Sequence, residues 1–215
     1  MMTTLADILR GIERGVFPAA DLTTSLVPAP SARDTCVLGL TGHLVVAADV
    51  AGEWFAQHLD ADDLAAPLNP PFLYALEQLT GREVNGIDAL LLAPAITDPA
   101  ERAPLTADLE PFTDESHPRI RRARRYRDQV RAFTDPRGGL VLTGLGVAGR
   151  QEVAIEIPES SRGRGLGRHL ARTARALVPP GTHLWAQVTP GNAASLRTFL
   201  AAGYTPVGSE ALLVR

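Results

Sequence analysis

Glu152-Val153-Ala154-Ile155-Glu156-Ile157-Pro158-Glu159-Ser160-Ser161-Arg162-Gly163-Arg164-Gly165-Leu166-Gly167 is the stretch that decides how this chain is read. Its first six residues are strand-like, and Pro158 to Ser161 interrupt them. A helix is expected over Gly165–Leu177, with Leu166, Leu170, Ala174 and Leu177 on one side and Arg168, Arg172 and Arg175 on the other. A helix start leaves its first N–H groups unpaired and bears partial positive charge. Glycines let the backbone approach a phosphate closely, and Arg162 and Arg164 add charge-assisted donors. A strand, a glycine-rich loop and a helix in this order read as a pyrophosphate cradle. The same residues also read as a tight turn, and both readings stand at this point. A dinucleotide loop does not fit, because glycines at 163, 165 and 167 leave no GxGxxG match at 168. A Walker loop fails for want of Gly-Lys-Ser/Thr.

Downstream lies Asn192-Ala193-Ala194-Ser195-Leu196-Arg197-Thr198-Phe199-Leu200-Ala201-Ala202-Gly203-Tyr204. With Arg162, Gly165 and Gly167, the positions Asn192, Ser195, Phe199, Gly203 and Tyr204 resemble the paired motifs of the GCN5-related N-acetyltransferase (GNAT) superfamily. A strand expected over Thr182–Val188 stands between the two motifs, as it does in that family. The resemblance covers about residues 108–215. It implies a mixed α/β acyl-CoA N-acyltransferase (GNAT) fold, in which helices flank a central mixed sheet, with an additional N-terminal α/β region. It also implies acetyl-CoA or another acyl-CoA as co-substrate and a small-molecule or peptide primary amine as acceptor. By the resemblance, Arg162, Gly163, Arg164, Gly165, Leu166, Gly167 and Arg168 hold the pyrophosphate, and Ala154, Ile155 and Ile157 border the pantetheine arm. Asn192, Ser195 and Phe199 complete the implied cofactor set. Asn192 reads equally as a helix N-cap. Dimers are common in the family, so a homodimer is open.

Position 199 departs from the pattern. Many members carry a Tyr there to protonate the leaving thiolate, and Phe199 has no phenol. A thiol with a pKa of about 8.5 leaves tolerably without an acid. Tyr204 and Tyr126 are the candidate replacement phenols. This departure keeps a second reading open, a non-catalytic acyl-CoA-binding or interaction module. A general base must face the amine, which attacks only when neutral. Glu152 and Glu156 share one strand face by parity, on either side of Ala154, and are the candidates. The alternative is an exposed face with two solvated carboxylates. His169 and His183 are weaker candidates.

The rest of the second half reads as a short strand over Asp108–Thr113, a helix over His117–Arg131 and strands over Leu140–Leu145 and Glu152–Ile157. A helix over Asn192–Ala202 and one or two terminal strands within Tyr204–Val214 close it. Strands alternating with helices in this way make the fold class of this half mixed α/β. Seven arginines from Arg119 to Arg131 crowd one expected helix with Tyr126. They read as a solvated face paired with acids elsewhere, or as a docking surface for an anion.

The first half opens on a helix capped by Thr3 or Thr4, with Leu5, Ile8, Leu9 and Ile12 on one face. A hairpin follows from Cys36–Leu40 and His43–Val50, split at Thr41-Gly42. Helices are expected over Trp54–Leu59 and Phe72–Thr80, and a buried strand over Ile87–Leu92. Pro67 to Pro71 cannot lie inside a helix. The proline-rich stretch Ala93–Thr106 marks the expected boundary, which divides the chain into regions 1–105 and 106–215. The order in the first region permits a degenerate second copy of the fold or a cap that shapes the acceptor pocket.

Composition narrows the classes. No apolar run approaches the roughly 18 residues of a membrane span, and the Met1-Met2-Thr3 start lacks the order of a signal peptide. The expectation is a cytoplasmic protein. Cys36 stands alone, without an internal disulfide partner, and no CxxC or HExxH signals a metal. The net charge of −3 argues against nucleic acid as a partner. Every basic residue is Arg, which excludes Schiff-base lysine chemistry.

Overall fold

Thr4 closes the first helix with a reciprocal cap. Its hydroxyl accepts from Asp7 N at 3.2 Å, and its own N–H donates to Asp7 Oδ2 at 3.1 Å. In the computed structural model, which describes residues 3–60 and 62–215, this helix is α1 (Leu5–Glu13). The first two residues of the N-terminal segment read above lie outside the described residues. The chain divides into two compact units, one running up to Leu90 with Val207–Arg215 and the other covering Leu91–Pro206.

The first unit continues through β1 (Thr23–Val27), β2 (Thr35–Leu40), β3 (His43–Ala47), α2 (Gly52–His58), α3 (Pro70–Thr80) and the start of β4 (Glu83–Pro94). β2 and β3 form the expected hairpin, turning at Gly42 with φ of 65°. β1 runs parallel to β3, and β2 pairs antiparallel with the last strand of the chain. Pro70 and Pro71 fill the first turn of α3, where a missing N–H costs nothing. Gly81 ends that helix in the left-handed conformation. α3 buries Phe72, Leu73 and Leu76 against Val37, Val46, Ala211 and Leu213. Cys36 is fully buried in β2.

The second unit holds α4 (Pro99–Thr106), β5 (Glu110–Pro111), α5 (Pro118–Tyr126), β6 (Asp128–Thr134), β7 (Leu140–Leu145), β8 (Gln151–Glu156), α6 (Leu166–Leu177), β9 (His183–Val188), α7 (Ala193–Ala201) and the start of β10 (Thr205–Val214). The stretch read as a boundary, Ala93–Thr106, therefore contains α4. β5, β6, β7 and β8 pair antiparallel in sequence order, and β8 then runs parallel to β9. Strand parity distributes the two flanking helices. Val141, Val153 and Ile155 point to α6, where Leu166, Leu170, Ala171 and Ala174 meet them with Leu184, Ala186 and Phe199. Leu140, Leu142 and Ala154 point to the opposite face, against Ile120 and Ala123 of α5. The class is mixed α/β, with mostly antiparallel strands and flanking helices. No helix among the described residues is long and apolar enough to cross a membrane.

One element read in the sequence changes type part-way along. The helix expected over His117–Arg131 ends at Tyr126, and Asp128–Thr134 forms β6. Arg127 is already extended, and Gln129 takes a left-handed φ of 51° at a bulge in the β6–β7 register. The run of arginines carries a helical look across this break. Beneath it, Val130 and Ala132 alternate inward against the α5 core, which is a strand period.

Candidate functional site

β8 (Gln151–Glu156) leads toward the glycine loop. It pairs with β7 along its whole length, from Gln151 to Glu156. With β9 it shares the register pair Glu152↔Trp185 and no other among the described residues. Beyond that vertex the β9-facing edge of β8 has no registered strand partner among the described residues. Its backbone is open to an extended group laid alongside, as in strand addition. Ala154, Ile155 and Ile157 are half-buried along this stretch.

The chain then turns through Pro158–Ser161 into the glycine loop. Gly163 and Gly165 take φ of 72° and 78°, which a side chain disfavours. A Cβ at either position would meet nothing within 4 Å, so the space in front of the loop is open. Gly165 is the N-cap of α6 and supplies no side-chain cap. The opening N–H groups of that helix thus face outward with the positive end of its dipole. Arg162, Arg164 and Arg168 are exposed around it, without an ion pair among the described residues. Gly167 answers to a different constraint. A Cβ there would lie 3.1 Å from Thr198 Cγ2, so this glycine lets α6 approach α7.

The two strand carboxylates share the α5 face but differ in surroundings. Glu152 is 2% exposed. Its Oε1 accepts from Arg150 Nε at 2.8 Å, Gln187 Nε2 at 2.8 Å and Val147 N at 3.3 Å. Its Oε2 lies 2.8 Å from Arg127 Nε. Burial alone pushes this carboxyl up, but the Arg150 and Arg127 guanidiniums outweigh it and hold it below the usual range. Gly146 makes room for the cluster, since a Cβ there would overlap the Glu152 carboxylate. Arg150 also stacks over Trp185, with its guanidinium carbon 5.2 Å from the ring centroid. Glu156, by contrast, is 42% exposed at its side chain. It accepts from Arg119 Nε at 3.0 Å, with His117 Nε2 at 3.9 Å from its other oxygen.

The second motif is built inward. Asn192 is exposed and caps α7, accepting from Ser195 N at 3.1 Å. Phe199 is buried in the α6 core, edge-on to Tyr204 with centroids 5.0 Å apart. Tyr204 donates its phenol to Ala171 O at 3.2 Å, and burial pushes its pKa up strongly. Both rings are buried. Tyr126 lies under the guanidiniums of Arg122 and Arg125. His169 sits 3.3 Å from Asp135 and lines a cleft of about 290 Å³ with Leu105, Leu109 and Arg137. Burial, with Arg137 nearby, lowers its pKa.

Sequence reasoning missed Arg127, Arg150 and Gln187 as partners of Glu152. Arg127 was hidden in the arginine run, and nothing local ties Gln187 to a carboxylate 35 positions earlier. Of the arginine run, Arg119, Arg124 and Arg127 pair with Glu156, Glu115 and Glu152. No group of His, Cys, Asp and Glu that could hold a metal occurs among the described residues.

No protein-family model matches the chain, and no curated protein matches it. Among solved structures it is similar to a GCN5-related N-acetyltransferase from Kribbella flavida, at 19% identity and a TM-score of 0.40. The alignment covers 68% of this chain and 64% of that one, so less than two thirds of that structure's length is matched.

Proposed function

We propose that region 106–215 is an acyltransferase that moves an acetyl or other acyl group from acyl-CoA to a primary amine by direct attack. The observation that supports this best is the unpartnered edge of β8 leading into a left-handed glycine loop and an uncapped α6. An extended amide-bearing arm alongside Ala154–Ile157 would bring its pyrophosphate to Gly163–Arg168. Arg162, Arg164 and Arg168 supply countercharge without having to break an existing ion pair.

In this reading Glu156 is the base. It is open to an approaching amine, and Arg119 orients it. Glu152 Oε1 accepts from three donors and its Oε2 is ion-paired with Arg127, and its role is to hold the vertex of β8 and β9. The thiolate leaves without a phenol acid, since Phe199 and Tyr204 are both buried. The implied acceptor is a small-molecule or peptide amine.

The burial of Phe199 and Tyr204 also favours a second reading, an acyl-CoA-binding module without turnover. Thiol release from acetyl-CoA across an amine panel separates the two. Turnover that falls by about 10²–10⁴-fold in Glu156→Gln supports the enzyme. Binding without release for every amine supports the module. Failure of CoA to bind, with Gly165→Glu no weaker than the native chain, removes both.

A further inference from the structure

The first unit contains a second set of reactive groups, remote in sequence from the glycine loop. His43 opens β3 and is 8% exposed at its side chain. Its Nδ1 lies 2.9 Å from Asp21 Oδ1, and its Nε2 lies 2.9 Å from Ser25 Oγ. Thr23 donates its hydroxyl and its N–H to the same Asp21 oxygen, at 2.7 and 3.0 Å. These bonds fit one tautomer. Nδ1–H donates to the carboxylate, which leaves the Nε2 lone pair to accept the Ser25 proton. Hydrogen bonds from His43 and Thr23 hold the Asp21 carboxyl at about 2, so it is ionised behind the imidazole.

The backbone builds this line of groups. β1 and β3 are parallel with Thr23 opposite His43, which places Ser25 on the same face two residues on. Gly42 turns into β3 with φ of 65°, and a Cβ on it would lie 2.8 Å from Ala20 Cβ. The segment before β1 is therefore pressed onto the Gly42 turn. Leu22 N donates to Gly42 O at 2.9 Å, and Leu22 is held at φ of 61°. That conformation is strained for a branched side chain. It aims Asp21 at the His43 ring. Leu22 itself is 68% exposed, and Phe17 is also exposed nearby in sequence.

We infer that Asp21, His43 and Ser25 form a nucleophilic triad that hydrolyses small carboxylic esters with short apolar acyl groups. The roles follow from geometry rather than from chain order. Ser25 is partly exposed on β1, the end strand of its sheet, whose outer backbone has no strand neighbour among the described residues. Outward N–H groups of that edge are the available donors for an oxyanion. An open edge, with Leu22 exposed beside it, suits a short unbranched acyl chain.

Ser25 Oγ bonds to the ester carbonyl carbon as its proton passes to His43 Nε2. The tetrahedral adduct collapses, the bond to the alcohol oxygen breaks, and His43 returns the proton to that oxygen. Water then attacks the acyl-Ser25 ester with His43 taking its proton. Collapse releases the carboxylic acid and restores the Ser25 hydroxyl, so ester and water give acid and alcohol.

The full chain, without CoA, is treated with a fluorophosphonate probe and with p-nitrophenyl acetate. The expected label is one per chain, on Ser25 within the tryptic peptide Gly15–Arg33. Ester hydrolysis is expected to fall by about 10²–10⁴-fold in Ser25→Ala and in His43→Gln. Asp21→Asn, at an exposed position, keeps the test decisive if His43→Gln unfolds, and a fall of at least about tenfold is expected from it. Absence of label on the folded chain, label at another residue, or a native rate in Ser25→Ala overturns the triad. None of these readings depends on acyl-CoA turnover.

Discussion

Replacing Glu152 by alanine should be among the most damaging single changes in the second unit. Its carboxylate is 2% exposed and stands between Arg150, 1% exposed at its side chain, and Arg127, at 12%. Alanine leaves both guanidiniums buried without their shared counterion. Breaking a buried ion pair by removing one partner costs about 3–5 kcal/mol. The second unit spans Leu91–Pro206, and for a unit of that size each kcal/mol shifts Tm by about 4 °C. Thermal melts should therefore show a loss of roughly 12–20 °C for Glu152→Ala. Glu152→Gln keeps the shape and one acceptor oxygen, and should fall between alanine and the native chain. Replacing Arg127, Arg150 and Glu152 together by Met removes the charges as well as the contacts, and should restore much of the loss. Acidity gives an independent check. The folded carboxyl is held below its ordinary value, so its contribution is present above about pH 4.3 and is lost as pH falls through the lower folded value. The Tm gap between native and Glu152→Gln should be constant from pH 8 to about pH 5 and shrink below about pH 4. A loss under about 1 kcal/mol in Glu152→Ala, or a gap that stays constant down to pH 2, would refute the account of the vertex.

Phe199→Tyr puts a hydroxyl into a buried ring site, so it should lower stability by roughly 1–3 kcal/mol and leave thiol release from acetyl-CoA no faster. A rate gain would mean that the ring reaches the leaving group. Tyr204→Phe removes the bond to Ala171 O and should cost about 1 kcal/mol in a denaturant melt, without moving any pH–rate profile. Gly167→Val should cost roughly 1–3 kcal/mol by forcing α6 from α7, and Thr198→Ala in the same chain should recover part of that loss. If CoA affinity falls while stability holds, Gly167 faces the cofactor instead.

Local rules carried the reading as far as local rules reach. The Thr4 cap, the hairpin at Gly42, Gly81 closing α3 and the apolar stripe of α6 each depend on residues within a few positions of one another. The exception among them is α5, where charge spacing kept a helical period past Tyr126 while the small inward residues changed to a strand period. Composition outweighed alternation there, because arginine stems tolerate either conformation.

The three loop glycines show why motif legibility and physical cause come apart. In sequence they look equivalent. In the fold, Gly163 and Gly165 are fixed by backbone angle and leave open space, whereas Gly167 is fixed by a neighbouring helix. A spacing pattern therefore records two constraints at once, one on the backbone angle and one facing a neighbouring helix. Phe199 and Asn192 divide in the same way, one filling the core and the other capping α7 at the surface. Contacts that join distant positions had no such local imprint. Glu152 meets Gln187, and Asp21 meets His43, only because parallel strands bring their faces together. Both polar clusters sit beside such a pair, β8 with β9 and β1 with β3. A parallel pair is joined by a long connection, so neighbouring side chains on its two strands are far apart in sequence.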